Sequence, residues 1–107
     1  MPNTLKVSQS NIIDGLGTWT HTALSTSMYF ISVVSTEVPV STLSVVINQN
    51  GSPVKSATVS DGSSLLSAQI IMNCTSGDVI TVVLSSSSPI DNQLNTVRTL
   101  VTLRQGP

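Results

Sequence analysis

Residues 41–59 have the sequence STLSVVINQNGSPVKSATV, in which an alternating apolar run is followed by Asn50-Gly51 and then by a second strand-like run. Both central residues of a type I′ turn need a positive φ angle, and Asn-Gly between apolar runs is the strongest short signal for that turn. Residues 76–86, SGDVITVVLSS, add a Gly-Asp turn and a run of β-branched residues, which favour strands. Both stretches predict antiparallel β structure.

The rest of the chain continues this pattern. Apolar and polar residues alternate over 28–37, 66–74 and 95–104, and turn residues recur at the short spacing typical of a sandwich or barrel. At 107 residues the chain is long enough for one domain with a single modest core. We predict an all-β antiparallel sandwich of about eight strands over 18–107, preceded by a less regular N-terminal arm over 1–17.

The composition is unusually poor in charge. Only nine residues are Asp, Glu, Lys or Arg, which is 8% of the chain, whereas soluble domains carry roughly 25%. The net charge of −1 gives no electrostatic reason to expect nucleic acid as a partner. No apolar run approaches the ~18 residues needed to cross a bilayer, so we expect no membrane partner either. With few charges to keep copies apart, we expect identical subunits or a larger assembly to cover much of the surface.

The strand predicted over 79–84 is apolar on both sides. Val79 and Val83 lie on one side, and the opposite side carries Ile80, Val82 and Leu84. Each sheet of a two-layer sandwich has only one inner face. We therefore predict that other protein covers the outer side of this strand, with packing between copies as the simplest arrangement.

Few residues offer chemistry. His21 is the only histidine, and no Gly-x-Ser-x-Gly motif supplies a nucleophile, so we predict no enzymatic activity and a surface or interface position for His21. Cys74 is the only cysteine and fits a small buried apolar residue. One histidine and one cysteine far apart in the chain make no zinc cluster. Asp61 and Asp78 could contribute to a calcium site, but each neighbours a glycine and turn geometry explains both better, so no cofactor or metal is predicted.

Four stretches together carry a resemblance to a known family. They are the strand YFISV at 29–33, VVINQNGSPV at 45–54, SGDVITVVLSS at 76–86 and the closing segment LNTVRTLVTLRQG at 94–106. In this order and spacing they resemble the complement-globular-head and tumour-necrosis-factor-like jelly roll, in particular the small versions in bacterial and phage surface proteins. The resemblance covers roughly residues 18–105 and implies a jelly roll of up to ten strands that assembles as a compact trimer. Ser27 departs from it, because glycine often precedes the aromatic pair, and the closing strand lacks the aromatic residues of animal members.

A trimer needs a contact surface between its subunits. The residues that we predict for this contact are Tyr29, Ile71, Val82, Val97 and Leu100. The four basic residues are scattered and form no nucleic-acid stripe. Arg98 and Arg104 are six apart and share one face of the last strand. They either line the threefold axis, paired with Glu37 or Asp91, or are solvated.

The predicted function is structural. We expect a homotrimeric capsid decoration (cement) or head-fibre protein of a tailed phage, located on the virion surface and bound to the major capsid protein or another virion protein. The arm residues predicted to dock on the shell are Leu5, Val7, Ile12 and Ile13. The alternative function is a receptor- or carbohydrate-binding module of a fibre tip or adhesin. Its candidate loop is 85–92, with Trp19, Tyr29 and Phe30 as the available aromatic side chains. A trimer on a bacterial cell or spore surface is the alternative location.

Overall fold

The computed structural model describes residues 7–14, 17–35, 42–59, 65–86 and 98–106. They form eight strands: β1 (Val7–Asp14), β2 (Gly17–Thr22), β3 (Ser27–Ser35), β4 (Leu43–Gln49), β5 (Ser52–Val59), β6 (Ser67–Cys74), β7 (Val79–Ser85) and β8 (Arg98–Gln105). Over these residues no helix is both long and apolar enough to cross a membrane. The prediction of an all-β chain with about eight strands is confirmed.

The strands build two four-stranded antiparallel sheets. The first sheet has the order β1-β8-β3-β6 and the second has the order β2-β7-β4-β5. Only the β4–β5 connection stays within one sheet, whereas the chain crosses to the opposite sheet between all other consecutive strands. Eight strands in two sheets with this order are a jelly roll.

The β4–β5 hairpin has the predicted tight turn. Asn50 has a φ angle of 54° and Gly51 has one of 83°, as a type I′ turn requires, so this prediction is confirmed. The pairing of the two strands shifts between Ile47 and Asn48, which is a β-bulge or similar irregularity. Among the described strands β5 pairs only with β4, so it lies at the edge of its sheet as described.

The core lies between the sheets and follows the predicted alternation. On β3, every second side chain from Tyr29 to Val33 is fully buried, and Leu66 to Cys74 show the same alternation across β6. On β8, Thr99, Val101 and Leu103 face inward. Burying one such aliphatic side chain contributes about 1.5–3 kcal/mol, and these inner faces supply the main stabilisation of the sandwich.

The N-terminal segment is part of the sandwich where the structure describes it. Residues 7–14, which we expected in an arm separate from the domain, form β1 and pair with β8 along its whole length, from Val7 opposite Gln105 to Asp14 opposite Arg98. The next strand, β2, follows at Gly17–Thr22 and pairs with β7 in the other sheet. Ser8, Gln9 and Ser10 interrupt the apolar alternation that would predict this strand from sequence, and backbone pairing with β8 does not depend on side-chain polarity.

The outer side of β7 is less exposed than the sequence suggested. Ile80, Val82 and Leu84 are buried in the core, and Val79 and Val83 on the opposite side are half-buried within the subunit itself. Val83 lies between Thr18 on β2 and Val46 on β4 in the sheet register. Neighbouring side chains of the same sheet therefore supply part of the cover, and β7 alone does not require a partner chain.

Candidate functional site

The most distinctive surface of the described structure is the outer side of the first sheet, which we call the exposed sheet face. Side chains alternate along each strand, so the residues between the buried positions of β3, β6 and β8 point away from the core. Its members are Ile12 on β1, Met28, Phe30, Ser32 and Val34 on β3, Ser67, Gln69, Ile71 and Asn73 on β6, and Arg98, Leu100, Thr102 and Arg104 on β8. Of the described large apolar side chains that are exposed, Ile12, Met28, Ile71 and Leu100 belong to this face.

One apolar row crosses the sheet near the start of β8. Leu100 lies directly opposite Ile12 on one side and opposite Val34 on the other. Ile12 is 57% exposed and Leu100 is 37% exposed, whereas Val34 is half-buried. Three aliphatic side chains on three neighbouring strands thus form a continuous apolar strip open to solvent.

A second apolar row crosses the sheet near the end of β8. Phe30 lies directly opposite Ile71 on β6 and Arg104 on β8. Ile71 is 62% exposed, and Met28, two residues before Phe30, is 52% exposed. Met28, Phe30, Ile71, Arg104 and Gly106 line a cavity of about 290 Å³. The row therefore presents a groove with apolar walls and one guanidinium at its rim.

Neutral polar side chains separate the two rows. Ser32 lies between Gln69 on β6 and Thr102 on β8 in the register. Among the side chains that the structure describes on this face, Arg98 and Arg104 are the only charged groups, and both are exposed. Their predicted placement on one face of the last strand is confirmed. Six residues apart, they flank the apolar area instead of interrupting it.

The structure places the five residues predicted for the trimer contact in different environments. Ile71 and Leu100 lie on the exposed sheet face, one in each apolar row. Tyr29 and Val82 are 0% exposed and belong to the core, so their assignment to a contact between subunits is wrong. A side chain without exposed surface in the subunit cannot touch a partner. Val97 lies outside the described residues.

The four residues predicted to dock an arm on a shell also differ. Ile12 is exposed on β1, and Ile13 points the opposite way and packs against the core. Val7 lies in β1 opposite Gln105. Leu5 lies outside the described residues.

Sequence reasoning missed Phe30, Met28 and Val34 as members of the surface. The signal was available, because strict alternation puts Phe30 on the side opposite Tyr29. Once the larger aromatic side chain of the pair is placed in the core, its neighbour must face outward.

His21 lies among aromatic side chains. Its ring stacks on Trp19 with the ring centroids 6.0 Å apart and the planes at 8°, and Tyr29 lies 6.2 Å away at a tilt. The Nε2 atom is buried and has no hydrogen-bond partner among the described atoms. Burial lowers the pKa of His21, which favours the neutral ring. The ring packs as an aromatic side chain, with no described carboxylate oriented against it as a triad would require.

Asp78 is occupied as a turn residue. Its carboxylate accepts hydrogen bonds from the Asn50 side chain at 3.0 Å, the Thr75 backbone N–H at 2.9 Å and the Gln49 side chain at 3.1 Å. These bonds lower the pKa of Asp78, with the Asn50 bond as the largest cause. The described parts of the chain contain no group of three or more His, Cys, Asp or Glu side chains that could hold a metal ion.

No protein-family model matches the sequence, and no curated protein matches it. The fold is similar to that of several solved structures. The crystal structure of pika GITRL matches with a TM-score of 0.48 and 20% identity, covering 83% of this chain and 79% of that one. Rabbit GITRL matches with a TM-score of 0.48 and 16% identity, covering 82% of this chain and 75% of that one.

A carbohydrate-binding module, CBM36 in complex with calcium and xylotriose, matches with a TM-score of 0.48 and 14% identity, covering 100% of this chain and 93% of that chain. The neighbours are thus jelly rolls of the tumour-necrosis-factor family and a carbohydrate-binding module. The likeness concerns the fold alone. The jelly-roll assignment of this chain follows from its own strand order.

Proposed function

We propose that this chain is a non-enzymatic structural protein that forms a homotrimer through the exposed sheet face. We propose further that the trimer is a decoration (cement) or head-fibre protein on the virion surface of a tailed phage, bound to the major capsid protein or another virion protein. The observation that carries the proposal is the pair of apolar rows, centred on Leu100 and on Phe30, that one sheet presents to solvent.

The exposure of these rows supports contact with other protein. Soluble monomers rarely expose contiguous apolar patches larger than a few hundred Å², and larger patches mark interaction sites. Ile12, Ile71 and Met28 are each more than half exposed, so covering them removes apolar area from water. That removal is the dominant favourable term in protein association, at about 25 cal/mol per Å².

The charge pattern supports self-association as well. Arg98 and Arg104, the only charged side chains described on this face, flank the apolar rows, so the rows can pack against a partner while both guanidinium groups stay at the rim in water. The chain as a whole has nine charged residues in 107, which leaves little electrostatic repulsion between copies. A decoration protein stabilises the shell by mass action. Because it binds the assembled shell and not its separate parts, it shifts the equilibrium toward the intact particle.

Carbohydrate binding through an aromatic platform has less support. Trp19 packs against the core and Tyr29 is fully buried, so Phe30 is the aromatic side chain left on the outer surface of the described sandwich. We place sugar recognition second to assembly for this reason.

The first experiment measures the mass of the purified protein in solution by size-exclusion chromatography with light scattering. We expect three times the mass of one chain at micromolar concentration. Ile71→Lys places a charge in the second apolar row and shifts the mass toward that of a monomer, because burying an unpaired ammonium is costly. Val54→Lys, at an exposed position of β5 on the other sheet, is the matched control and leaves the mass unchanged. A monomeric or dimeric wild type, or a trimer that tolerates Ile71→Lys, overturns the trimer proposal.

The second experiment tests the role of the assembly. The purified protein is sedimented with empty shells of the phage whose genome encodes it, and in parallel is applied to a glycan array. Co-sedimentation at a fixed ratio to the shell, with no glycan signal, is the expected result. Glycan binding without co-sedimentation replaces the decoration role by the carbohydrate-binding one.

A further inference from the structure

The Asn50-Gly51 dipeptide of the β4–β5 turn has the sequence at which asparagine deamidates most readily. When glycine follows asparagine, the glycine backbone nitrogen can attack the asparagine side-chain carbonyl carbon without obstruction. The new C–N bond closes a five-membered succinimide, the bond to Nδ2 breaks, and ammonia leaves. Water then opens the ring to give aspartate or isoaspartate. Gly51 is exposed, and nothing lies within 4 Å of where its side chain would begin, so water and base reach this peptide bond.

The folded chain holds the Asn50 carboxamide at both ends. Its Oδ1 accepts a 2.8 Å hydrogen bond from the Val79 backbone N–H, and its Nδ2 donates a 3.0 Å hydrogen bond to Asp78 Oδ1. The Asn50 backbone N–H also donates to the Val79 carbonyl at 2.8 Å. The Asn50 side chain is therefore bound to residues at the β6–β7 turn. The nitrogen that would attack it belongs to Gly51, in the β4–β5 turn.

The residue that holds Asn50 is itself fixed. The Oδ2 atom of Asp78 accepts hydrogen bonds from the Thr75 backbone N–H and from Gln49 Nε2. The Asp78 carbonyl accepts a 2.8 Å bond from the Ala23 backbone N–H, which ties the same turn to the β2–β3 loop. These bonds hold Asp78 in position as the acceptor for Asn50, so the carboxamide is bound to a partner that is itself fixed.

We propose that Asn50 is a latent deamidation site, and that its hydrogen bonds to Asp78 and Val79 restrict the reaction to molecules in which the turn has opened. To cyclise, the carboxamide turns toward Gly51 and gives up both bonds. The reaction rate then follows the population of the opened turn, as for other local opening events that are fast relative to the chemistry.

Deamidation also makes the opening permanent. The product carries an oxygen where Asn50 had Nδ2, so an acceptor faces the acceptor oxygen of Asp78 and the 3.0 Å bond is lost. Two carboxylates at that distance repel each other. The isoaspartate product in addition lengthens the backbone of a two-residue turn. A modified chain therefore cannot close the turn in the same way. The fraction of deamidated chains then reports how often the turn has opened.

The test follows deamidation of Asn50 by peptide mapping and mass spectrometry at mildly alkaline pH. Asn50 in the folded wild type reacts at least about tenfold more slowly than in the same chain in urea, which corresponds to about 1.4 kcal/mol for opening. Asp78→Ala removes a charge-assisted hydrogen bond and accelerates the reaction in the folded protein by about tenfold. Asp78→Asn, which keeps an acceptor oxygen, gives a smaller acceleration.

Ser44→Ala is the matched control, because it removes the Ser44–Thr58 hydrogen bond of 2.9 Å from the same hairpin away from its tip. This variant deamidates at the wild-type rate. Circular dichroism before and after incubation shows that each variant is folded, and Asp78→Asn serves if Asp78→Ala does not fold. Equal rates for Asn50 in folded and unfolded wild type overturn the proposal. So does an Asp78 variant, folded throughout, that reacts no faster than Ser44→Ala.

Discussion

The hydroxyl of Tyr29 donates a 3.0 Å hydrogen bond to the backbone carbonyl of Ser25. The ring is fully buried, and the Ser25 side chain in turn accepts a hydrogen bond from Gln105 Nε2. Tyr29 thus joins β3 to the β2–β3 loop, and the side chain of Ser25 joins that loop to the end of β8. Tyr29 stabilises the subunit from within, while its neighbour Phe30 faces outward.

Replacing Tyr29 by Phe tests whether Tyr29 stabilises the subunit and takes no part in contacts between subunits. Tyr29→Phe removes the hydroxyl and leaves the Ser25 carbonyl with one partner fewer, which we expect to lower the free energy of unfolding by about 0.5–1.5 kcal/mol. The self-association of the protein does not change, because the ring has no exposed surface. Urea unfolding and light scattering measure the two quantities. A variant that dissociates without losing stability would contradict the core position of Tyr29.

Gly77 in the β6–β7 turn has a φ angle of 96°, where a side chain is disfavoured. Gly77→Ala is expected to destabilise the protein by about 1–2 kcal/mol. Gly17→Ala is the matched control, because a Cβ at Gly17 meets Ile13 Cγ2 at an ordinary 3.6 Å. Thermal unfolding followed by circular dichroism compares the two variants. Equal melting temperatures would show that backbone strain at Gly77 is not the controlling factor.

Asp78 makes stability depend on pH in the acid range. Its pKa is lowered in the folded state by the hydrogen bonds from Asn50, Thr75 and Gln49, so the unfolded chain binds its proton at higher pH, around the ordinary value of 3.8. The stabilisation is therefore complete above that value and is lost as the pH falls through the folded pKa. Urea unfolding between neutral pH and pH 2 is expected to show a steeper loss for the wild type than for Asp78→Asn. Parallel pH profiles for the two proteins would contradict this account.

Cys74 is expected to be protected from thiol reagents in the folded protein. It is 2% exposed, and its pKa is raised by burial and, to a lesser extent, by the negative charge of Asp78. Both effects keep the side chain as the unreactive thiol, since the thiolate is the nucleophile. The rate of reaction with a disulfide reagent, measured with and without urea, checks this. Rapid modification of the native protein would show that β6 opens at its end.

The sequence predicts the fold well where one local rule decides the structure. Asn50-Gly51 determines a tight turn through backbone sterics, and the alternation along β6 and β8 determines which side chains are buried. Cys74 is buried in the core, as predicted. Each of these features is decided by residues that are adjacent in sequence, so it can be predicted without knowing the strand order.

The surface was harder to predict, because it depends on strand order. The apolar residues on both sides of β7 predicted that another chain covers its outer side. In the structure β7 is a central strand between β2 and β4, and the side chains of those two strands partly shield Val79 and Val83. The exposed apolar rows instead combine residues such as Ile12, Val34 and Leu100, which are far apart in the chain and meet only through the β1-β8-β3 order. No local pattern contains that information.

The edge position of β5 has a consequence for how copies of the protein can add to one another. An unpaired strand edge is a template on which a further strand can grow into an aggregate. On β5 the ring of Pro53 removes one backbone donor, Lys55 adds a positive charge, and the shift at Ile47 and Asn48 disturbs the regular spacing of the hairpin. This border of the molecule is thus a poor seed for a growing fibril.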